Sequence, residues 1–549
     1  MLAELCSTQK RILRKYQSMS AATNIPAREI EVLAPILIAD GEEFRSRMSS
    51  ISRQSLVYFA GTIFTAATGY FFKIYLARSL GAEALGLYAL GITIVGFIGL
   101  FNSLGLPMAA ARFVAAYCAK RQYLQLGSFL RSSLGLLTGV NGLLALVVLV
   151  AGPWLAVHFY HAPKLSPYLW AFAVIMFLGV LNFFLGQVMA GYRDVARRTL
   201  ITHFMGTSAN IGIAIVLISL GFGLGGYMAA QVASALLVLW LLGASVWKMS
   251  PVEARNARSG LHIKQEVVAF STVAYGIAAL QFVLAQTDKI VLGYYLDARR
   301  VGIYAVAMAL VGFVPIALDS VNQIFSPIIS ELHAAENHAV LQQLYSTLTK
   351  WVMILTIPLA ITMIIFAQGL MSIFGHGFQS GTAVVMIGAV GQVFNCGVGS
   401  VGFLLLMSGN QAELMKIEAA NAVLMVGLNI LLVPQFGIAG AAIATTITTI
   451  TTNVWALASV RRLLKVFPYN AGYFKLALPS ICAMAGTLML ARLLAGNYAQ
   501  WKIAGAGLVF AYGAFIGTLC LLGLDQDDRE LAKLAWVRLR RSFRRAVFT

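Results

Sequence analysis

Two charged residues stand side by side in an otherwise apolar run, Asp288 and Lys289 in "AQTDKIVLGYYL". A lysine buried in such a run can hold an anion, and a carboxylate there can carry a proton or cation or pair with a nearby base. The lysine has a counterpart. The segment "KIYLARSLGAEALGLYALGITIVGF" (73–97) aligns without a gap on "KIVLGYYLDARRVGIYAVAMALVGF" (289–313), at an offset of 216 residues. Eleven of the twenty-five positions are identical, including the Lys-Ile start, the Gly-x-Tyr-Ala centre and the Val-Gly-Phe end. Chance gives roughly one identity in ten between apolar helices, so the chain contains an internal repeat. A weaker match, "FGLGGYMAA" from Phe222 on "FGIAGAAIA" from Phe436, supports it at an offset of 214. Lys73 and Lys289 should therefore project from equivalent faces towards a shared axis and flank one anionic group. Asp288 has no such counterpart, because Phe72 occupies its place.

Two other readings of Lys289 stand beside the anion site. At 1.5 Å per residue it lies about 12 Å below a boundary at Asp297, or about 8 Å below one set by Tyr294 and Tyr295, from which it could snorkel to the surface. It could also form a structural ion pair. Asp288 points about 100° away from it and shares a face with Gln281 and Tyr295. Asp319, Asn322 and Gln323, at i, i+3 and i+4, form a polar stripe one turn beyond Pro315, where a kink is predicted. Gln286, Asn322 and Gln323 join Lys73 and Lys289 as candidate substrate-binding residues. Asp288, Asp319 and Glu418 are candidates for ion coupling, or for pairing with bases such as Lys416. Arg112 and Arg193 are candidates for attracting an anionic head group on entry, although topology alone accounts for them. Asn141, Asn182, Gln187, Asn210, Gln231, Gln392, Asn395, Asn429 and Asn453 read as hydrogen-bonding glue between helices. The Thr-rich run "ATTITTITTN" reads as a small polar face against a neighbouring helix.

The elements that position these residues follow from composition. With 59% hydrophobic and 11% charged residues over 549, the chain has too little polar surface for a soluble globule. Apolar runs of about 20 to 26 residues recur from Ser55 to Leu524, as helices crossing a core about 30 Å thick require. Fourteen spans are predicted, in an all-α polytopic membrane protein. Fourteen basic residues in the links fall on one side and six on the other, which predicts that both termini are cytoplasmic. The repeat offset contains six spans, so the two copies cross in the same sense and form parallel repeats. The expected organisation is an N-terminal tail (1–51), an N-lobe of six helices (52–248), a cytoplasmic linker (249–264), a C-lobe of six helices (265–461), helices thirteen and fourteen (470–524) and a basic tail (525–549).

The formal charge of +19 is spread over links and tail, which points to an anionic inner leaflet and away from nucleic acid. In the tail, "LAKLAWVRLRRSFRR" interleaves apolar and basic residues, as a helix lying on the membrane does, with a disordered basic tail as the alternative. The first fifty residues lack a signal-peptide core, and Met48 is an alternative start. The five cysteines are isolated, the seven histidines show no ligand spacing and no Walker motif occurs, so neither a disulfide framework, a metal site nor a cofactor is expected. No link is long enough for a catalytic domain. An enzyme is not expected.

The strings "QTDKIVLGYYLDARRVGIYAVA", "QIFSPIISELHAAENHAVLQQLYSTLTKW" and "NILLVPQFGIAGAAIATTI", in that order on fourteen spans, resemble the polysaccharide and O-antigen flippase family, within the multidrug/oligosaccharidyl-lipid/polysaccharide exporter superfamily. The likeness covers roughly residues 50 to 465. It implies a non-enzymatic transporter that moves an undecaprenyl-pyrophosphate-linked oligosaccharide across a bacterial inner membrane by alternating access of two lobes. It further implies, as partners, membrane lipids, a polysaccharide polymerase and other assembly proteins. The lysines suit this reading, since the pyrophosphate must cross the bilayer centre while its lipid tail stays in lipid. A cation-coupled multidrug exporter of the same superfamily is the first alternative, but such exporters typically place an acid in span one, and none occurs from Tyr58 to Ala82. A lipid II flippase is the second; the arginine cluster usual in that family is not found. A polymerase-type membrane enzyme would need a large outer loop, and the stretch around "HFYHAPKLSP" is too short.

Overall fold

A computed structural model of the chain describes residues 27–99, 102, 104–256, 280, 282–494 and 500–523. The basic tail expected over 525–549, Gln281 and the linker from 257 onward lie outside these residues. Helix α1 (Ala27–Ile98) is broken at Gly81, whose φ of 78° only glycine adopts without strain. Leu104 and Gly105 also turn left-handed before α2 (Leu106–Ala119), which begins with Pro107 in its first turn. Then follow α3 (Tyr123–Phe159), α4 (Pro163–Gly191), α5 (Val195–Ser219) and α6 (Gly223–Met249).

The second half repeats the plan. Helix α7 (282–295) leads through a short link to α8 (Ala298–Val311), α9 (Ile316–Ala334) and α10 (His338–Ile365). Next come α11 (Gly377–Val398), α12 (Gln411–Phe436) and α13 (Ile438–Leu464), and then α14 (Gly472–Leu494) and α15 (Lys502–Leu521). The links supply their own caps: the Asp194, Asp297, Asn337 and Asn470 side chains each accept a hydrogen bond from a first-turn backbone N–H. The kink predicted at Pro315 is a 56° bend between α8 and α9. Gly99 stands at the repeat equivalent of Pro315, just after the end of α1.

Among the described residues eleven helices are long and apolar enough to cross a membrane, or twelve if the bent α8–α9 pair is one span. Fourteen were expected. Spans one and two run on through Gly81 and count as one helix, and span seven is described only from residues 280 and 282 onward.

Packing divides the molecule by level. At the level of Arg78, Lys164 and Arg299, one buried core takes residues from both halves, including Leu90, Tyr160, Phe172, Leu292, Tyr304 and Phe374. At the opposite level the cores are separate, one built from α2 to α6 around Leu126 and Phe184, another from α9 to α13 around Phe325 and Leu404. The joined level closes on a glycine crossing. A Cβ at Gly86 would overlap the Ala298 carbonyl, and one at Gly302 the Ala82 carbonyl, so the two backbones touch only because neither residue has a side chain. Arg78 Nε donates to Ile373 O at 2.8 Å, and Phe159 packs on Tyr294 with ring centroids 5.0 Å apart.

Helices α14 and α15 pack on each other and on α10. Their tyrosines bond main-chain carbonyls of the second half near its helix breaks. Tyr473 donates to Gly397 O at 3.1 Å, beside the left-handed Gly399, and Tyr512 donates to Leu355 O at 2.6 Å, one turn before Pro358. The Thr-rich run packs as expected: Thr446 donates to Ile387 O and fills the notch over Gly391.

Candidate functional site

Helices α1 and α7 bring Lys73 and Lys289 to one cavity of about 230 Å³ between the halves, which Tyr70, Tyr88, Gln286 and Phe374 also line. The Lys289 ammonium donates to Gln286 Oε1 at 3.0 Å and reaches Ala285 O at 3.4 Å. Lys73 makes no hydrogen bond or ion pair among the described residues and lines a second cavity as well. Among the described residues no carboxylate lines the cavity, so two cations share a space whose described wall carries no acid. Such a pair favours an anion with oxygens on two sides, to which each lysine can give a charge-assisted hydrogen bond.

Asp288 turns the other way. It is 6% exposed, and its Oδ2 accepts from the Tyr304 hydroxyl at 2.7 Å while Oδ1 accepts from the Lys289 backbone N–H at 2.7 Å. The Tyr304 oxygen lies 3.5 Å from Thr445 Oγ1. The expectation that Asp288 lines the cavity or pairs with a lysine is corrected: a tyrosine and a backbone amide satisfy it instead. The pairing expected of Glu418 with Lys416 is corrected too, because residues two apart on a helix do not face each other. Lys416 lies 3.9 Å from Glu413, three residues before it, and Glu413 also binds Arg462 at 3.0 Å.

Asp319, exposed, and Asn322, buried, sit beyond the bend on α9, away from the residues that line the lysine cavity. Asn322 Oδ1 has no hydrogen-bond partner among the described residues. Gln323 follows on α9, its side chain outside the described residues. Arg112, stacked over Phe113, and Arg193, left-handed at the end of α4, are both exposed at the level where the cores are separate. The structure thus brings together Lys73, Lys289 and Gln286 and leaves the other candidates elsewhere.

Sequence reasoning passed over Tyr88 and Tyr304, and the signal for them was in the repeat. Both are the tyrosine of its Gly-x-Tyr-Ala centre, whose glycines are Gly86 and Gly302 of the crossing. Tyr88 accepts from Gln231 Nε2 at 2.9 Å, and the same nitrogen reaches the Tyr227 hydroxyl at 2.7 Å. Among the remaining polar residues, Asn141 donates to Asn102 O, and Asn453, Asn395 and Gln392 bond in a chain, as helix glue does.

Comparison with known proteins places this geometry. The chain is similar to the probable low-salt glycan biosynthesis flippase Agl15 of Haloferax volcanii, 23% identical over 403 residues that cover 72% of this chain and 80% of that protein. Among solved structures it resembles the lipid II flippase MurJ in an inward closed conformation (TM-score 0.68, 14% identity, 85% of this chain and 98% of that one). It also resembles a multidrug resistance transporter of the MATE family and MOP superfamily in an inward-facing conformation (TM-score 0.62, 16% identity, 72% and 94%). These likenesses show the fold, an all-helical one shared with MOP-superfamily transporters. The family model described as polysaccharide biosynthesis protein matches residues 75–379, from just after Lys73 through Lys289 and the glycine crossing, and the chain belongs to that family.

Proposed function

We propose that the chain is a flippase that carries an undecaprenyl-pyrophosphate-linked oligosaccharide across the bacterial inner membrane for polysaccharide assembly, with both termini cytoplasmic. The observation that carries this reading is the cavity between the halves, where two lysines from equivalent repeat positions meet and no carboxylate among the described residues lines the wall. A pyrophosphate fits that charge, and a cationic drug would be repelled by it. The six-helix repeats act as lobes. The glycine crossing closes the outer side in this state, the separated cores leave the cytoplasmic side able to load substrate, and rocking about the crossing exchanges the two. The polyprenyl tail remains in lipid throughout. Agl15, named for glycan biosynthesis, supports the assignment.

Complementation tests it. The gene is expressed in strains that each lack one polysaccharide flippase, and the accumulated lipid-linked intermediate is measured. Clearance of the intermediate in at least one strain is expected. Drug efflux rescued with every intermediate still accumulated overturns the assignment.

A further inference from the structure

Arg131, Lys248 and Arg255 meet at the level where the cores are separate, although they come from two distant parts of the chain. Arg131 stands on α3. Lys248 is in the last turn of α6, and Arg255 lies in a helical turn (Val252–Asn256) that packs against α3. That turn is fixed in place: Ala254 is buried in the core of the first half, the Tyr192 and Ser250 hydroxyls share a hydrogen bond at 3.0 Å, and Arg131 Nη2 donates to Arg255 O. Arg255 is held with it. Its Nε donates to Ser250 O at 2.9 Å and its Nη2 to Lys248 O at 3.1 Å, and its guanidinium carbon lies 5.3 Å from the centre of the Trp247 ring.

These contacts orient the guanidinium without neutralising it. Among the described residues neither Lys248 nor Arg255 makes an ion pair, and Glu253, the acid of the turn, is two residues from Arg255 and makes none either. Other basic residues at this level are different: Arg197 lies 3.3 Å from Asp194, and Glu413 takes both Lys416 and Arg462. The Arg255 Nη1 hydrogens and the Lys248 ammonium have no acceptor among the described residues, so donors remain for an anion.

The surroundings select which anion. Trp247 is 60% exposed and shares one bare face of α6 with Trp240, seven positions earlier, and Leu236, eleven positions earlier. Acyl chains cover such a face in a membrane, and a tryptophan at its end stands at the head-group level. A soluble phosphate or an acidic peptide would leave the apolar face unused. A zwitterionic head group would bring a further cation to the three already there, whereas an anionic phospholipid satisfies both the charge and the face.

We propose that Arg131, Lys248 and Arg255 form a binding site for the head group of an anionic phospholipid, whose acyl chains run along Trp240 and Leu236. The proposal goes beyond the transport reading and holds whatever the protein carries. The link towards the second half follows this turn in the chain, so the lipid fastens the link where it leaves the first half.

The test titrates the full-length protein in detergent with phosphatidylglycerol or phosphatidylcholine and counts the complexes by native mass spectrometry. Phosphatidylglycerol is expected to bind about tenfold more tightly, and Lys248→Ala or Arg255→Ala to weaken it about fivefold each while leaving phosphatidylcholine within about twofold. Arg255→Ala also loosens its own turn, so Lys248→Ala, whose ammonium makes no described bond, keeps the result clear of folding. Lys416→Ala, at the same level in the second half, should leave phosphatidylglycerol affinity within about twofold. Equal binding of the two lipids overturns the site, as does a loss in Lys416→Ala as large as that in Lys248→Ala. A Lys248→Ala loss confined to bare polyprenyl pyrophosphate, titrated in parallel, overturns it too, by giving the patch to the transported lipid.

Discussion

The two halves place different chemistry on one frame. In the first, Tyr88 and Tyr227 share the Nε2 of Gln231, and Phe72 packs on Tyr227 with centroids 6.0 Å apart. The repeat equivalents in the second half are Tyr304, Ala441, Thr445 and Asp288. There the tyrosine remains, the second aromatic is reduced to alanine, and the phenyl ring gives way to a carboxylate that the tyrosine hydroxyl binds at 2.7 Å. The first half spends its volume on rings beside the cavity that Lys73 lines, and the second buries an acid. Duplication kept what both halves need, the backbone crossing and the tyrosine anchor. The substitutions around that anchor gave one half a cluster of rings and the other a buried acid.

The largest effect should come from breaking what the halves share. Gly86→Val and Gly302→Val each push a side chain into the carbonyl of the opposing helix, and overpacking of this kind costs about 1–3 kcal/mol or more. About 3 kcal/mol shifts a two-state equilibrium by more than a hundredfold. Each variant should therefore open the outer side. The readout is labelling of a Gln286→Cys reporter by an impermeant maleimide added from outside, in a background without the native cysteines. The two variants should behave alike, and an effect at one glycine alone would show that the crossing is not symmetric.

Next are the lysines, equivalent in the repeat but not in their surroundings. Lys289 has Gln286 as a neighbour, whereas Lys73 has no hydrogen-bond partner among the described residues and faces both cavities. A charge-assisted hydrogen bond contributes about 1.5–3 kcal/mol, about ten- to a hundredfold in rate if it acts on translocation. Lys73→Ala should slow flipping of a fluorescent lipid-linked saccharide in proteoliposomes towards the upper end of that range, and Lys289→Ala towards the lower. Full activity of the double variant at normal protein levels would falsify the anion site.

The all-helical class, the repeat, the Pro315 bend and the lysine pair were legible because each depends on local pattern: apolar length, a ring that blocks a backbone bond, identity at a fixed offset. The partner of Asp288 was not, since Tyr304 lies on the next helix and only packing brings them together. Asn182, read as glue, does bridge helices, since its Nδ2 donates to Ala235 O. Glu418 is a different case. Its spacing from Lys416 already argued against a pair, and Glu413, a full turn away from that lysine, was the better partner.

The smallest effect separates the tyrosines. Tyr88→Phe removes one of two acceptors for Gln231 Nε2, and Tyr227 still serves that nitrogen, so the loss should be near the 0.6 kcal/mol average for hydrogen bonds between membrane helices, about that or less. Tyr304→Phe takes the hydroxyl donor from a carboxylate that is 6% exposed and leaves it the Lys289 backbone N–H. Leaving a buried carboxyl without that donor costs more, about 1–3 kcal/mol. Unfolding midpoints of the two variants in detergent should differ in that order. Adding Asp288→Asn to each variant sharpens the comparison. It should change the cost of Tyr304→Phe, because those side chains touch, and leave the cost of Tyr88→Phe unaltered, because they do not. Equal costs for the two tyrosines would mean that Asp288 is held by its backbone contact alone, and that the second half is less specialised than its sequence suggests.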